Sequence, residues 1–257
     1  MPDNKPDHGG DFDDLLAKTA QNIATYGLQV ISVPGTSYLP SFTYSVGLLE
    51  TCGHPEIICF GLKTDLMHAL INDVAALIKE GSPMQPGNTY DNIFKSLDAT
   101  FLRVDPANID DYFGVAIRHY KHSDFPAVQL IWPDNDNRFP WEEGFAQKLT
   151  DKQPLLDRNA SFKFKESKNL AVFTTRQWLD LKQPILEVVH HHNGDWQFLT
   201  GDQGMQDIKI VGLNQIIQKD LTLNEVFNLD YGETASRAGI GAKWLRSTIE
   251  EEEEEEH

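Results

Sequence analysis

The period of the apolar positions changes several times along this chain, and each change marks an element. Leu15, Leu16, Ala20 and Ile23, following Phe12, recur at helical spacing, and Gly27 is placed to end that helix. Asp11, Asp13 and Asp14 lie at its start, where negative charge complements the helix dipole. Residues 28–33 (LQVISV) then read as a strand stopped by Pro34-Gly35. Phe42, Tyr44 and Val46 alternate with Thr43, Ser45 and Gly47, as in a strand with one face more apolar. Residues 56–61 (EIICFG) form a continuous apolar run, which predicts a strand buried on both faces. Gly53, His54 and Pro55 predict a turn between the two.

The clearest helix spans residues 64–80. Leu66, Leu70, Val74 and Leu77 form one line, with Met67, Ile71 and Ile78 beside it, Thr64 as the expected cap and Gly81 after the end. A strand is expected over 99–104, then a helix opened by Asp105-Pro106 and running to about Tyr120, then a strand over 126–132. The stretch NDNRFPWEEGF has no regular period, and polarity rises over 151–168, the best linker candidate. Beyond it the pattern restarts. A short strand at 170–173 precedes a helix over 176–181 capped by Thr174, and a strand over 184–190 leads to Asn193-Gly194, which predicts a tight hairpin turn with positive φ. Residues 195–199 form the returning strand, 208–211 a third strand and 213–218 a helix. Strands and helices mix without strict βαβ alternation, so the expected class is α+β: a mixed or antiparallel sheet with packed helices over 11–157, a second, smaller α+β module over 168–230, and a tail over 231–257.

Composition narrows the functional classes. The 257 residues carry a formal net charge of −17, and seven of the acidic groups stand in the run 250–256, which leaves about −10 on the rest. A run of like charges repels itself and stays solvated, so that run is expected to be a disordered tail, and residues 1–10 a loose arm. The acidic balance argues against nucleic acid as a partner and suits a basic protein. Two cysteines make no disulfide framework, and neither a leader nor an apolar run of membrane length is visible, so a cytoplasmic protein with no membrane partner is expected.

The segment SFTYSVGLLETCGHPEIICFGL (41–62), the helix after it and DFPAVQLIWPDNDNRFPWEEGF (124–145) resemble a bacterial family catalogued as domain of unknown function 4262. That family brings no established activity. Residues 170–203, chiefly PILEVV and DWQFLTGD, are similar to the family of domain of unknown function 2185, several of whose members are labelled immunity proteins in toxin systems. Neither resemblance implies a cofactor.

Candidate chemistry is sparse. Cys52, His54 and Glu56 stand at two-residue spacing, which on an extended strand would align a thiol, a base and a carboxylate; Gly53 and Pro55 favour a turn instead. Cys59, inside an apolar strand, reads as core. His119 and His122 at the end of a helix, with Asp124 after them, are weak metal candidates without a fourth ligand at convincing spacing. His190, His191 and His192 abut the Asn-Gly turn, where polar residues are expected whatever their role. Arg138, Trp141 and Glu142, with Phe139, Glu143 and Phe145, either line a pocket or anchor a partner, or fold back over the sheet. Arg237, Lys243, Trp244 and Arg246 make a small basic-aromatic patch that clamps either the acidic tail or the domain surface. The ligand or partner candidates are therefore Tyr44, His54, Glu56, Arg138, Trp141, Glu142 and Trp196, with no catalytic residue assigned. The expected function is that of an interaction protein, an immunity protein neutralising a toxin by binding it. The alternative is an enzyme or small-ligand binder, flavin-like, with a pocket near residues 41–62.

Overall fold

The computed structural model describes residues 8–158 and 160–249, with side chains described from Asp13 onward. It has the expected α+β class and divides into two units, residues 36–39 grouping with the C-terminal one, which otherwise begins at Ser161. The acidic run 250–256 and residues 1–7 lie outside the described residues, whereas residues 8–10 of the expected arm already belong to the first helix.

The first unit is built on a six-stranded mixed sheet. Helix α1 (His8–Tyr26) leads into β1 (Gln29–Val33), β2 (Phe42–Val46), the short α2 (Leu48–Cys52), β3 (Glu56–Phe60) and α3 (Thr64–Lys79). Then follow β4 (Thr89–Tyr90), β5 (Ala99–Arg103), α4 (Ile109–Tyr112), α5 (Gly114–Tyr120) and β6 (Ala127–Ile131). The strand order is β1-β2-β3-β6-β5-β4, with β3 and β6 parallel and every other pair antiparallel. Because β3 lies inside the sheet, its whole length is buried. Ile57 and Cys59 pack on the α3 side with Met67, Ile71 and Val74. On the other side Phe60 meets the edge of Tyr112 at 5.2 Å, and Tyr44 meets Phe113 at 5.2 Å.

Three local expectations change. The second face of β2 is not wet: Thr43 and Ser45 are fully buried, because side-chain hydrogen bonds replace water there. The buried stripe of α3 runs through Met67, Leu70, Ile71, Val74, Ala75 and Ile78, which leaves Leu66 45% exposed at its edge; the residue before the helix, Lys63, makes no side-chain cap, and Thr64 is already helical. The helix expected from Pro106 to Tyr120 is broken into a 3-10 turn, α4 and α5, with Asp105 Oδ1 accepting the Ala107 amide at 2.9 Å. The break lies at Phe113-Gly114. Phe113 turns into the aromatic layer, and the Val115 amide donates to the Tyr44 hydroxyl at 3.0 Å.

Residues 153–156 lie over β6 through amide side chains rather than as a strand. Gln153 receives the Trp132 amide on Oε1 (3.3 Å) and donates Nε2 to the Trp132 carbonyl (2.6 Å). Gln129, fully buried at the centre of the sheet, does the same with Leu156 N–H (2.9 Å) and the Pro154 carbonyl (2.8 Å). The Leu156 carbonyl also accepts from Asp105 N and Asn108 Nδ2.

The second unit carries its own six-stranded sheet, formed by β7 (Ala171–Thr175), β8 (Glu187–His190), β9 (Trp196–Leu199), β10 (Ile208–Gly212), β11 (Glu233–Ser236) and β12 (Leu245–Thr248). Helices α6 (Arg176–Leu181) and α7 (Leu213–Ile217) accompany it, and the order is β10-β7-β9-β8-β11-β12 with only β7 and β9 parallel. Residues 231–249, expected to be tail, thus supply two strands. Their polar sequence gives no apolar period, but Ala235 is fully buried and the ladder to β8 holds them. The cap of α6 is Thr175, whose hydroxyl accepts the Trp178 amide at 3.1 Å, while Thr174 donates to the Phe198 carbonyl inside the sheet. In the hairpin turn Gly194 alone has positive φ (91°); Gly194 N–H bonds the His191 carbonyl, as in a type I turn closed by a left-handed glycine.

Gly47, between β2 and α2, has φ 107°, and a Cβ there would lie 2.8 Å from Ile23 Cγ1 of α1. Gly47→Ala is therefore expected to destabilise the first unit by about 1–3 kcal/mol from backbone conformation and overlap together. A urea unfolding midpoint unchanged from wild type would contradict this.

Candidate functional site

The most constrained side chain of the first unit is Glu56. It opens β3 on the face away from α3, and it is fully buried. Four donors surround it. The Ser45 hydroxyl reaches Oε2, while the amides of Gly47 (3.0 Å) and Leu49 (3.1 Å) and the Tyr120 hydroxyl reach Oε1. The directions are fixed by second partners: Ser45 Oγ accepts the Ile57 amide at 2.8 Å and Tyr120 Oη accepts the Gly47 amide at 3.0 Å, so each hydroxyl turns its proton to the carboxylate. Burial pushes the Glu56 carboxyl above its ordinary range, opposed by these four hydrogen bonds, and burial together with Glu56 pushes Tyr120 far up. Tyr44, also a candidate from the sequence, is buried in the aromatic layer with its pKa pushed up to about 12 by burial. Both residues act here as internal struts.

Cys52 and His54 lie at the other end of α2. The helix ends at Cys52, Gly53 is left-handed, and the His54 amide returns to the Leu48 carbonyl, so the three residues 52, 54 and 56 do not share a strand face. His54 is buried, with Nδ1 donating to the Pro55 carbonyl (2.7 Å) and Nε2 accepting the Met84 amide (3.2 Å). Both ring nitrogens are thereby occupied by backbone, and the imidazole joins the 52–55 turn to the loop after α3 instead of activating the thiol. Beside this join opens a cleft of about 350 Å³, lined by Cys52, His54 and Pro55, by Ile78, and by Gly81, Met84 and Gln85, with Arg103 from β5 at its wall. Sequence reasoning found the 52–55 side. It missed the 81–86 loop and Arg103, which are distant in sequence and carry no motif.

The aromatic loop is organised by a residue that sequence reading passed over. Buried Asp134 accepts the amides of Asp136 (2.9 Å), Arg138 (3.0 Å) and Ala146 (3.0 Å). Burial alone would raise its pKa, but these N–H groups and the Arg138 charge outweigh burial and lower it. Arg138 donates to the Gly144 carbonyl and pairs with Asp136, and Glu142 accepts the Phe139 amide. Phe139 is buried and stacks on Trp141 at 5.3 Å, whereas Trp141 itself stays 44% exposed. The loop folds over its own turn and presents one indole to solvent.

His119 Nε2 sits 3.2 Å from Glu50 Oε1, but α5 stops at Tyr120 and Lys121 is left-handed, so His122 leaves the helix face expected of an H-x-x-H pair and packs on Tyr120 and Phe125. Among the described residues no three His, Cys, Asp or Glu side chains are grouped to hold a metal. No helix among them is long and apolar enough to cross a membrane.

In the second unit Trp196 is fully buried and lies flat against His190, ring centres 4.0 Å apart. Tyr38 packs edge-on against His190 at 4.8 Å and donates its hydroxyl to Glu166 at 2.7 Å; Trp196 Nε1 reaches the same carboxylate at 3.3 Å. Lys165 lies 3.8 Å above the Tyr38 ring. His190 Nδ1 donates to the Leu229 carbonyl, Nε2 has no hydrogen-bond partner among the described residues, and burial lowers its pKa. The basic-aromatic patch clamps the domain surface: buried Arg237 binds Asp220, Thr222 Oγ1 and the Ile185 carbonyl and stacks on Trp244.

A family model described as Domain of unknown function (DUF4262) matches residues 22–146, from within α1 through the aromatic loop. The N-terminal part of the chain is thus similar to that family, and the match does not extend to the C-terminal part. No curated protein and no solved structure matches the chain.

Removing the Glu56 carboxylate tests the network. Glu56→Ala orphans the Leu49 amide and the Ser45 and Tyr120 hydroxyls, at about 1–3 kcal/mol for each that stays unpaired, so a loss of several kcal/mol is expected in urea unfolding. Glu56→Gln keeps an acceptor and should lose far less. The pH dependence has a definite sign. Because the folded-state pKa lies above the ordinary value of 4.5, the native state binds more protons than the unfolded state between those two values. Glu56's contribution is therefore greatest below the ordinary value and declines as pH rises through the folded pKa. Unfolding midpoints from about pH 4 to 8 should show that decline in wild type and not in Glu56→Gln. Parallel curves would contradict it.

Proposed function

We propose that the protein is an interaction module that binds a basic protein partner, and that this partner is a toxin neutralised by the binding, a reading suggested by the resemblance of residues 170–203 in sequence to immunity proteins. The observation that carries the reading is Trp141: a large, rigid indole, 44% exposed, backed by buried Phe139 in a loop pinned by Asp134. Exposed aromatics of this kind act as binding anchors, because little side-chain freedom is lost when they are covered. The two arginines of the neighbourhood are each paired locally, Arg138 with Asp136 and Arg158 with Asp157, while Glu143 stands exposed. A chain of net charge −17 speeds encounter with a basic surface. The side chains that a catalytic reading needs, His54 and Glu56, are occupied by fold-forming hydrogen bonds.

A second reading, a small-ligand binder near residues 41–62, is favoured by the cleft beside Cys52 and His54. Its volume stands at the small end of the roughly 300–1,000 Å³ of ligand pockets, which suits a ligand smaller than a flavin nucleotide.

For the partner-binding reading, affinity for a toxin encoded beside the gene, measured by titration calorimetry, should fall severalfold between about 50 and 300 mM salt. Trp141→Ala should weaken it by about tenfold or more with the unfolding midpoint unchanged. A salt-independent affinity, or one insensitive to Trp141, would remove the reading.

A further inference from the structure

Arg103 is the feature of the first unit that the fold does not use. It ends β5 with an exposed side chain and, among the described residues, has no hydrogen-bond or ion-pair partner. In so acidic a chain that is unusual company for an arginine: Arg138, Arg158, Arg176 and Arg237 each hold a carboxylate. Arg103 also lines the cleft of about 350 Å³, in which apolar side chains (Pro55, Ile78, Pro83, Met84 and Pro86) stand beside polar groups such as His54 and Gln85. The cleft is preformed, because His54 bonds the Pro55 carbonyl on one side and the Met84 amide on the other and so fixes the spacing of two walls. An unpaired guanidinium at the wall of a fixed cleft of mixed lining, with Pro55, Ile78 and Met84 on one part of it, is an arrangement that recognises a carboxylate attached to a small hydrophobic body.

We propose that this cleft is a binding site for small organic carboxylates, with the charge paired to Arg103 and the hydrophobic body laid on Pro55, Ile78 and Met84. The inference rests on the ligand-binding reading and is independent of the partner-binding one. Cys52 supplies a reporter. Its thiol is half-buried in the same cleft, whereas Cys59 is fully buried, with its pKa pushed up to about 12 by burial, and stays silent in the folded protein.

The test compares alkylation of Cys52 in the full chain by iodoacetate, an anion, and by iodoacetamide, its neutral counterpart. In both, the thiolate sulfur forms a bond to carbon as iodide leaves with the carbon–iodine electron pair, so the two reagents differ mainly in charge. The ratio of the iodoacetate rate to the iodoacetamide rate should fall about fivefold in Arg103→Gln, the size expected of one partly screened charge pair. The exposed position of Arg103 leaves folding intact, which the unfolding midpoint verifies. Millimolar benzoate should protect Cys52 from iodoacetamide in wild type and not in Arg103→Gln, and benzamide should protect neither. An unchanged rate ratio overturns the proposal. Equal protection by benzoate and benzamide also overturns it while leaving a ligand-binding cleft, and protection by neither overturns the ligand reading as well.

Discussion

A carboxylate that cannot reach water governs the first unit. Glu56 sits at the start of an interior strand, and an unpaired charge there would be prohibitive. The surrounding chain satisfies it from four directions: β2 through Ser45, the entry to α2 through Gly47, α2 itself through Leu49, and α5 through Tyr120. Several otherwise unrelated features follow from this arrangement. Gly47 takes its left-handed conformation where two amides must turn inward together. Ser45 is buried on the β2 face that alternation alone would leave wet. The 105–120 helix is broken so that α5 can bring Tyr120 to the carboxylate while Phe113 fills the aromatic layer.

The second unit solves the same problem differently. Two of its buried polar groups lie on rings: His190 lies on Trp196, Arg237 lies on Trp244, and each also satisfies a backbone carbonyl, that of Leu229 or Ile185. Ring stacking tolerates a polar group with an unfilled valence better than an aliphatic wall does, and His190 Nε2 is such a valence. The polar sequence around residue 235 therefore belongs to the sheet although nothing in its hydropathy announces a strand.

Elements with a repeating apolar signal were readable in the sequence: α3, the buried run of β3, and the strands at 99–103 and 127–131 all fall where periodicity places them. The Gly-His-Pro turn was also readable, because Gly53 and Pro55 restrict the backbone locally. Features set by distant partners were not readable. Nothing near Asp134 reveals that three amides converge on it. His54 looks like chemistry until Met84, 30 residues away, is seen to donate to it. The cleft wall at Arg103 comes from a different strand, so the candidate site appears in the sequence only as its 52–55 half.

The amide side chains of Gln129 and Gln153 carry a consequence for where the N-terminal domain ends. The matched family segment stops at residue 146, yet the chain goes on to hydrogen-bond the middle of β6 from residues 153–156. A fragment ended at 146 would leave the buried side-chain amide of Gln129 and the backbone N–H and carbonyl of Trp132 without these partners, at about 1–3 kcal/mol for each that stays unpaired. The segment that a family boundary leaves out is thus the one that completes the buried hydrogen bonding of the first unit.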